Sequence, residues 1–468
     1  MDKKINILFS SYPDFSGNPK ALYEYINTNY ISKFNMYWVA YSDTNVEHLK
    51  KNNIDVVFFQ SEEYKDLMPN INIIFDTNGF LLSEKNPNQI YVNLWHGSSP
   101  KKKGYLLSVD NFAEQDIEYY KTARRKTDYL IVPSEFSKLI FASAFNVNAQ
   151  NILPLGYPRD EYLLNCDGKE NLQKLTNLNL KNYNKIIFYL PTFRKGANRV
   201  DAPDIFENNL LNINKYSEED LVKFLEDNNY LLVVKKHPAE MNNINTNINT
   251  SNILILSEDS MTEKNLTIYE LLNSADLLIA DYSSVYVEYL LLEKPVLFFH
   301  QDINTYTQNR DLILQDAEIW FPGPRVYDFE NFKKEIVQLL NNPNYYKIER
   351  LKFRNLMFTK DASNSSKNIF EYFFDKNNFT LKCHPKLHIE EEMDLKIKEQ
   401  ENAIQKLEIQ NLKYETDIER ITAEKNKFLD ESVELNNKLN YIYNSKSWKL
   451  IQFMHKLKNG GKKSWNEF

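Results

Sequence analysis

Glycine is scarce in this chain: 10 of 468 residues, roughly 2% where about 7% is usual. The ten are Gly17, Gly79, Gly97, Gly104, Gly156, Gly168, Gly196, Gly323, Gly460 and Gly461. Their spacings contain neither the dinucleotide fingerprint nor the P-loop pattern, so both glycine-rich phosphate cradles are excluded. Cysteine is nearly absent. Cys166 and Cys383 are far apart and form no C-x-x-C pair, which argues against a zinc cage or a disulfide framework and fits a reducing compartment. No stretch of about 18 apolar residues is present to span a bilayer, and residues 1–16 lack the apolar core of a signal peptide. A basic excess is missing too: 57 basic and 64 acidic residues give a net charge of −7, with no general drive toward nucleic acid. These absences predict a cytoplasmic protein without a nucleic-acid partner.

What the chain does have is core material: 42% hydrophobic and 14% aromatic residues, enough for two or three domains. Up to about residue 160, apolar β-rich runs at 5–9, 36–40, 56–59, 71–75, 90–95, 129–132 and 152–155 alternate with helical stretches such as 19–30 and 134–145. Continuous apolar strands separated by helices indicate a parallel sheet covered on both faces. The polar, Asn- and Lys-rich residues 165–184 read as a linker. The pattern restarts with strands at 186–190, 231–234, 253–256, 277–280 and 296–299, and with helices at 218–227, 268–273, 285–293 and 329–340. Two α/β halves facing a cleft are expected: residues 1–165 and 185–380, joined by 166–184. One large sheet is the alternative.

From about residue 388 a single heptad pattern takes over. With Ile397 at a, the a positions are Ile397, Ile404, Asn411, Ile418, Lys425, Ser432 and Leu439, and the d positions are Gln400, Leu407, Tyr414, Ile421, Phe428, Leu435 and Ile442. This predicts a coiled coil over 388–445, with Asn411 specifying a parallel pairing, and hence a homo-oligomer. A long helix packed on its own domain is the alternative. Residues 446–468 carry six lysines against one glutamate, a local net of 6 − 1 = +5, interleaved with Trp448, Ile451, Phe453, Met454 and Leu457. A basic amphipathic tail of this kind fits an anionic membrane surface, and equally a solvated tail.

The residues that carry chemistry gather at predicted strand ends, where ligands of open α/β sheets bind. His96 follows the strand 90–95, precedes Gly97 and stands near Lys101, Lys102 and Lys103. An imidazole with an ordinary pKa of about 6.5 suits proton abstraction from a hydroxyl, and the lysines would attract a phosphorylated partner. His237 ends a second-half strand in the equivalent place. Asp281, Tyr282, Ser283 and Ser284 form a polar turn between a buried strand and a helix, in which Asp281 or Ser283 would cap the helix and free N–H groups would meet an anion. Glu288, seven residues after Asp281, could accept from ribose hydroxyls. Thr192 and Arg194 close the strand 186–190 with a hydroxyl and a guanidinium suited to phosphate oxygens. Together His237, Arg194 and the Ser283–Ser284 turn predict a pyrophosphate pocket for a nucleotide-activated substrate.

The chain resembles the CDP-glycerol glycerophosphotransferase family of teichoic acid primases, polymerases and related capsule enzymes. The matching stretches are GNPKALY at 17–23, WHG at 95–97, VPS at 132–134, GYPR at 156–159, PTFR at 191–194, HP at 237–238, DYSS at 281–284 and PGP at 322–324. The resemblance implies a GT-B-like fold of two Rossmann-like domains, with the acceptor on the first and a CDP-activated donor on the second. It implies transfer of a polyol phosphate, from CDP-glycerol or CDP-ribitol, to a hydroxyl of a lipid-linked or polymeric acceptor at the inner face of the cell membrane, with release of CMP. His96 and His237 match the essential histidines, one as base on the acceptor hydroxyl and one on the donor diphosphate. Thr192, Arg194, Asp281, Tyr282, Ser283, Ser284 and Glu288 fall on the donor side. Gly17, Asn18, Lys20, Lys101 and Lys102 fall on the acceptor side. The resemblance requires no metal or other cofactor. Glu288 stands where the family commonly has Asp, and Ala362 and Lys367 stand where it has Gly and Arg. The alternatives are a GT-B glycosyltransferase using a sugar nucleotide, and a coiled-coil scaffold of a surface-polymer complex.

Overall fold

A computed structural model of the chain describes residues 4–77, 79, 81, 84–98, 100–107, 120, 123, 126–191, 210–211, 216–235, 250–300, 312–313, 317–359, 361–385 and 390–458. The chain separates into two compact units, Met1–Leu387 and His388–Phe468. The larger unit holds two parallel sheets. The first comprises β1 (Ile5–Ser10), β2 (Phe34–Ala40), β3 (Val56–Phe58), β4 (Ile73–Asp76), β5 (Ile90–Asn93), β6 (Tyr129–Ile131) and β7 (Ile152–Leu153), in the order β3-β2-β1-β4-β5-β6-β7. The second comprises β8 (Lys185–Tyr189), β9 (Tyr230–Val234), β10 (Ile253–Ile255), β11 (Leu277–Ala280), β12 (Val296–Phe299) and β13 (Arg325–Val326), in the order β10-β9-β8-β11-β12-β13. The expectation of two α/β halves rather than one sheet agrees with this topology. The two-residue strand β13, too short for an apolar run, is added to it.

The strands read as near-continuous apolar runs because helices cover both faces of each sheet. Ile7, Phe9, Ile73, Phe75 and Val92 point into one layer of the first half, and Leu8, Val39, Ile74 and Tyr91 into the other. In the second half Phe188, Leu278 and Phe298 alternate with Ile187, Ile279 and Leu297 across the sheet in the same way. Each sheet reverses its strand order once, between β1 and β4 and between β8 and β11. Ligands of doubly wound sheets bind outside the carboxyl ends of the strands at such switch points.

Two stretches depart from the expected layout. Residues 165–184 are not a polar linker: they contain the helix Gly168–Thr176, capped by Asp167, whose side chain accepts from the Lys169 and Glu170 N–H groups. Leu172 on that helix is buried, and Gly168 packs so closely on Asn273 and Leu271 that a Cβ would collide. The polarity of this stretch belongs to the helix's outer face. The helix Ser365–Phe373 follows the second sheet in sequence, yet its Ile369, Phe370 and Phe373 lie in the core of the first, where Phe370 stacks on Tyr30 at 4.2 Å.

The second unit consists of the helices Glu390–Asn444 and Lys446–Lys458. From Ile404 onward its apolar a and d residues face solvent: Ile404 is 53% exposed, Ile418 62%, Phe428 70% and Leu435 66%. Leu450, Ile451, Phe453 and Met454 of the terminal helix are exposed as well. Among the described residues no helix is long and apolar enough to cross a membrane.

Candidate active site

After β5 the backbone turns sharply. Trp95 adopts φ +53° and Gly97 φ +124°. The left-handed region is uncommon for a bulky residue, and surrounding bonds hold Trp95 there. Its N–H donates to Asn93 Oδ1 (2.8 Å), and its indole packs edge-on against Phe141 (5.0 Å). The turn places His96 on the cleft, stacked on Trp95 with ring centroids 4.4 Å apart.

Gly97 is required because the space beside it is occupied. A Cβ would strike Arg159 Nη2 and come within 2.7 Å of Glu288 Oε1. Arg159, just beyond β7, and Glu288, on the helix Val285–Tyr289 after β11, form a buried ion pair of 2.7 Å that joins the two halves. Glu288 Oε1 also accepts from the Ser98 N–H (3.4 Å), and the guanidinium lies 4.3 Å over the Tyr269 ring. Asp160 is buried in the same cluster, and neither of its carboxyl oxygens has a hydrogen-bond donor. Burial and the neighbouring Glu288 charge hold Asp160 well above the usual carboxylate range. Burial raises Glu288 as well, but the Arg159 charge and hydrogen bond oppose it. One guanidinium neutralises one carboxylate here: Glu288 carries the charge and Asp160 the proton.

A cavity of about 490 Å³ opens above this cluster. Its walls come from the ends of strands in both sheets: Ser11 after β1, Thr77 after β4, Trp95 and His96 after β5, and Lys235 after β9. Arg159 and Tyr269 complete the floor. The His96 ring is open to the cleft but closely walled by protein. That burial, with the positive charges of Lys103 and Arg159, outweighs a hydrogen bond to the Thr77 backbone and pushes its pKa down to about 3. The imidazole is therefore neutral. Lys103 lies 5.0 Å over the Trp95 ring, and burial and Lys101 push it down to about 8. Opposite, Lys235 is paired with Glu258 at 2.7 Å.

Several expected roles are corrected. Asn18 borders the cavity, but its side chain is buried and its amide is turned to the Leu94 and Trp95 carbonyls, to which it donates. Lys20 is buried as well; its ammonium bonds Glu270 (3.0 Å) and the Asn265 carbonyl (2.8 Å), a strut between the halves rather than an acceptor ligand. Gly17, at φ +62°, does line the cavity. Lys101 and Lys102 are half-buried and do not line it; Lys101 pairs with Leu312 in an antiparallel bridge. Glu288 is turned to Arg159 and not to a ribose. Neither Asp281 nor Ser283 caps the following helix. Asp281 Oδ1 instead closes the turn by accepting from the Ser283 N–H (3.0 Å), and Ser284 occupies the cap position. Tyr282 is buried and stacks on His300 at 4.6 Å, which leaves Ser283 and Ser284 as the half-buried hydroxyls of the turn. His237, Thr192 and Arg194 lie outside the described residues. Among the described residues no group of three or more acidic, histidine or cysteine side chains is placed to hold a metal ion.

Arg159, Thr77, Lys235 and Tyr269 were given no role from the sequence, whereas Lys103 was named with Lys101 and Lys102 as an attractor of a phosphorylated partner. Arg159 lay inside a quoted motif without a role, and Lys235 carried the only other signal, a cation just beyond a strand end.

Comparison with known proteins places this geometry. Residues 1–375 match the family described as CDP-Glycerol:Poly(glycerophosphate) glycerophosphotransferase. The chain is 31% identical over 386 residues to the teichoic acid glycerol-phosphate primase of Bacillus subtilis (strain 168), covering 79% of this chain and 91% of that one. It is 27% identical over 381 residues to the teichoic acid poly(glycerol phosphate) polymerase of Bacillus spizizenii, covering 78% and 91%. Among solved structures, the wall teichoic acid polymerase TagF superposes with a TM-score of 0.65 at 25% identity, covering 79% of this chain and 88% of that one.

Proposed function

The chain belongs to the CDP-glycerol:poly(glycerophosphate) glycerophosphotransferase family, and from that premise we propose that it moves glycerol phosphate from CDP-glycerol to a hydroxyl of a lipid-linked or polymeric acceptor, releasing CMP. The observation that carries the reading is His96 in the wall of a cleft between the two halves that Arg159 and Lys235 also line. In this mechanism the acceptor oxygen attacks the β-phosphorus and its proton passes to His96. The bond from that phosphorus to the bridging oxygen breaks, and CMP leaves with the electron pair. Phosphoryl transfer of this kind is served mainly by positioning and charge neutralisation. The pKa of His96 is held low first by its burial and then by the facing charges of Lys103 and Arg159, and only the second part is relieved by an anionic substrate. An incoming diphosphate offsets both charges and raises the imidazole toward the range where proton transfer is efficient. Lys235 can exchange Glu258 for a phosphate oxygen. Arg194, Thr192 and His237, which follow β8 and β9 in sequence, and Ser283 and Ser284 complete the donor side.

The exposed a and d stripe of Glu390–Asn444 is assigned to pairing with a second copy, with Asn411 selecting the parallel register. The helix Lys446–Lys458 is assigned to an anionic membrane surface, which would keep the enzyme beside a lipid-linked acceptor at the cytoplasmic face.

The test is turnover by the full chain with CDP-glycerol, CDP-ribitol, UDP-sugars and GDP-sugars against a lipid-linked acceptor. CMP release from CDP-glycerol, with no nucleotide release from the sugar donors, is expected; turnover of a sugar nucleotide alone would overturn the reading. The size of the product then separates addition of one unit from addition of many.

A further inference from the structure

We propose that Asn18 is a positioning residue for the transfer reaction: its carboxamide holds the turn that presents His96 to the cleft and ties that turn to Arg159. The inference rests on the transfer reading above. In a regular strand successive carbonyls point to opposite sides, so one side chain cannot serve two of them. The left-handed Trp95 makes the Leu94 and Trp95 carbonyls converge, and Asn18 Nδ2 donates to both at 2.9 Å. Two donors on one small, neutral group are what a primary amide supplies and what a hydroxyl or carboxylate does not. The same amide's Oδ1 accepts from the Arg159 N–H (3.2 Å). Asn18 thereby links three elements: the start of the helix Gly17–Tyr30, the turn after β5 and the start of the helix Asp160–Asn165, which Arg159 precedes. Arg159, fixed by this bond, places its guanidinium behind Gly97, where it pairs with Glu288. Asn18 is fully buried, so its route to the reaction is through the turn and not through substrate.

Asn18→Asp keeps the shape but turns an acceptor toward two carbonyls, and Asn18→Ala removes the donors. In the full chain, each should lower kcat by about 100-fold, the scale of a small misplacement of a catalytic group. KM for CDP-glycerol and for the acceptor should stay near the wild-type values, as should the thermal stabilisation given by CDP-glycerol. Asn18→Ser, which keeps one donor, should fall between and remains informative if Asn18→Ala does not fold. A second readout needs no turnover: the His96 imidazole resonance. Released from its wall and from Lys103, Arg159 and the Thr77 backbone bond, it should titrate nearer its ordinary value of about 6.5 in Asn18→Ala or Asn18→Ser. An unchanged kcat together with an unchanged His96 titration would overturn the proposal. So would a loss confined to acceptor KM, which would make Asn18 a binding residue. A wild-type chain inert toward CDP-glycerol refutes the transfer reading instead, and the His96 titration still decides the role of Asn18.

Discussion

Among the described residues of 5–374 most apolar strand residues are consumed inside the molecule: β5, β11 and β12 are buried along their whole length. Along Glu390–Asn444 the opposite holds, with Ile404, Ile418, Ile421, Phe428 and Leu435 all exposed. The difference is one of period. A continuous apolar strand in a parallel sheet is covered by its own helices on two faces, whereas a 3.5-residue repeat makes a stripe that a single helix cannot cover for itself. The first region therefore has a cleft with polar side chains at strand ends, and the second has a seam. The family match stops at residue 375, before the seam begins. Chemistry and assembly are thus expected to be separable.

His96→Ala breaks the chemical side of that separation hardest. Loss of a general base costs about 10²- to 10⁴-fold, and CMP release from CDP-glycerol should fall by that much while the mass in solution stays that of the wild type. Activity within a factor of a few of wild type would remove His96 from the mechanism. Glu288→Ala comes next. It leaves the Arg159 guanidinium buried without its ion-pair partner and the Ser98 N–H without its acceptor, and removal of one partner of a buried pair costs about 3–5 kcal/mol. Asp160 can release its proton and take over part of the pairing, so denaturant unfolding should report the low end of that range. No loss of stability would mean that Asp160 already carries the charge.

Much of this region was legible because period and punctuation agree in it. Most strands of both sheets are near-continuous apolar runs, and His96 is marked by a strand before it and a glycine after it. What was not legible is where side chains turn once the halves close. Lys20 and Glu288 carry charges that suit ligands, but each finds its counter-charge in the other half, Glu270 for Lys20 and Arg159 for Glu288. Asn18 reads as a polar residue in a motif; only the positive φ of Trp95, which no local pattern announces, brings two carbonyls to its amide. Residues 165–184 looked like a linker because the Gly168–Thr176 helix buries few of its side chains.

The seam offers the smallest expected effect on chemistry and the sharpest test of separation. Ile418 occupies an a position and Ile421 a d position, and both are more than half exposed. In the full chain, Ile418→Asp with Ile421→Asp places charges in successive core layers of any pairing between copies, where burial of an unpaired carboxylate is unfavourable. The same substitutions change little in a solvated helix. A fall in solution mass to that of one chain, with CMP release per chain unchanged toward a water-soluble acceptor, is therefore expected from light scattering and turnover measured together. An unchanged mass would mean that this stripe does not join copies. A lost mass with lost turnover would mean that the cleft depends on the pairing, and the division between the two regions would fail.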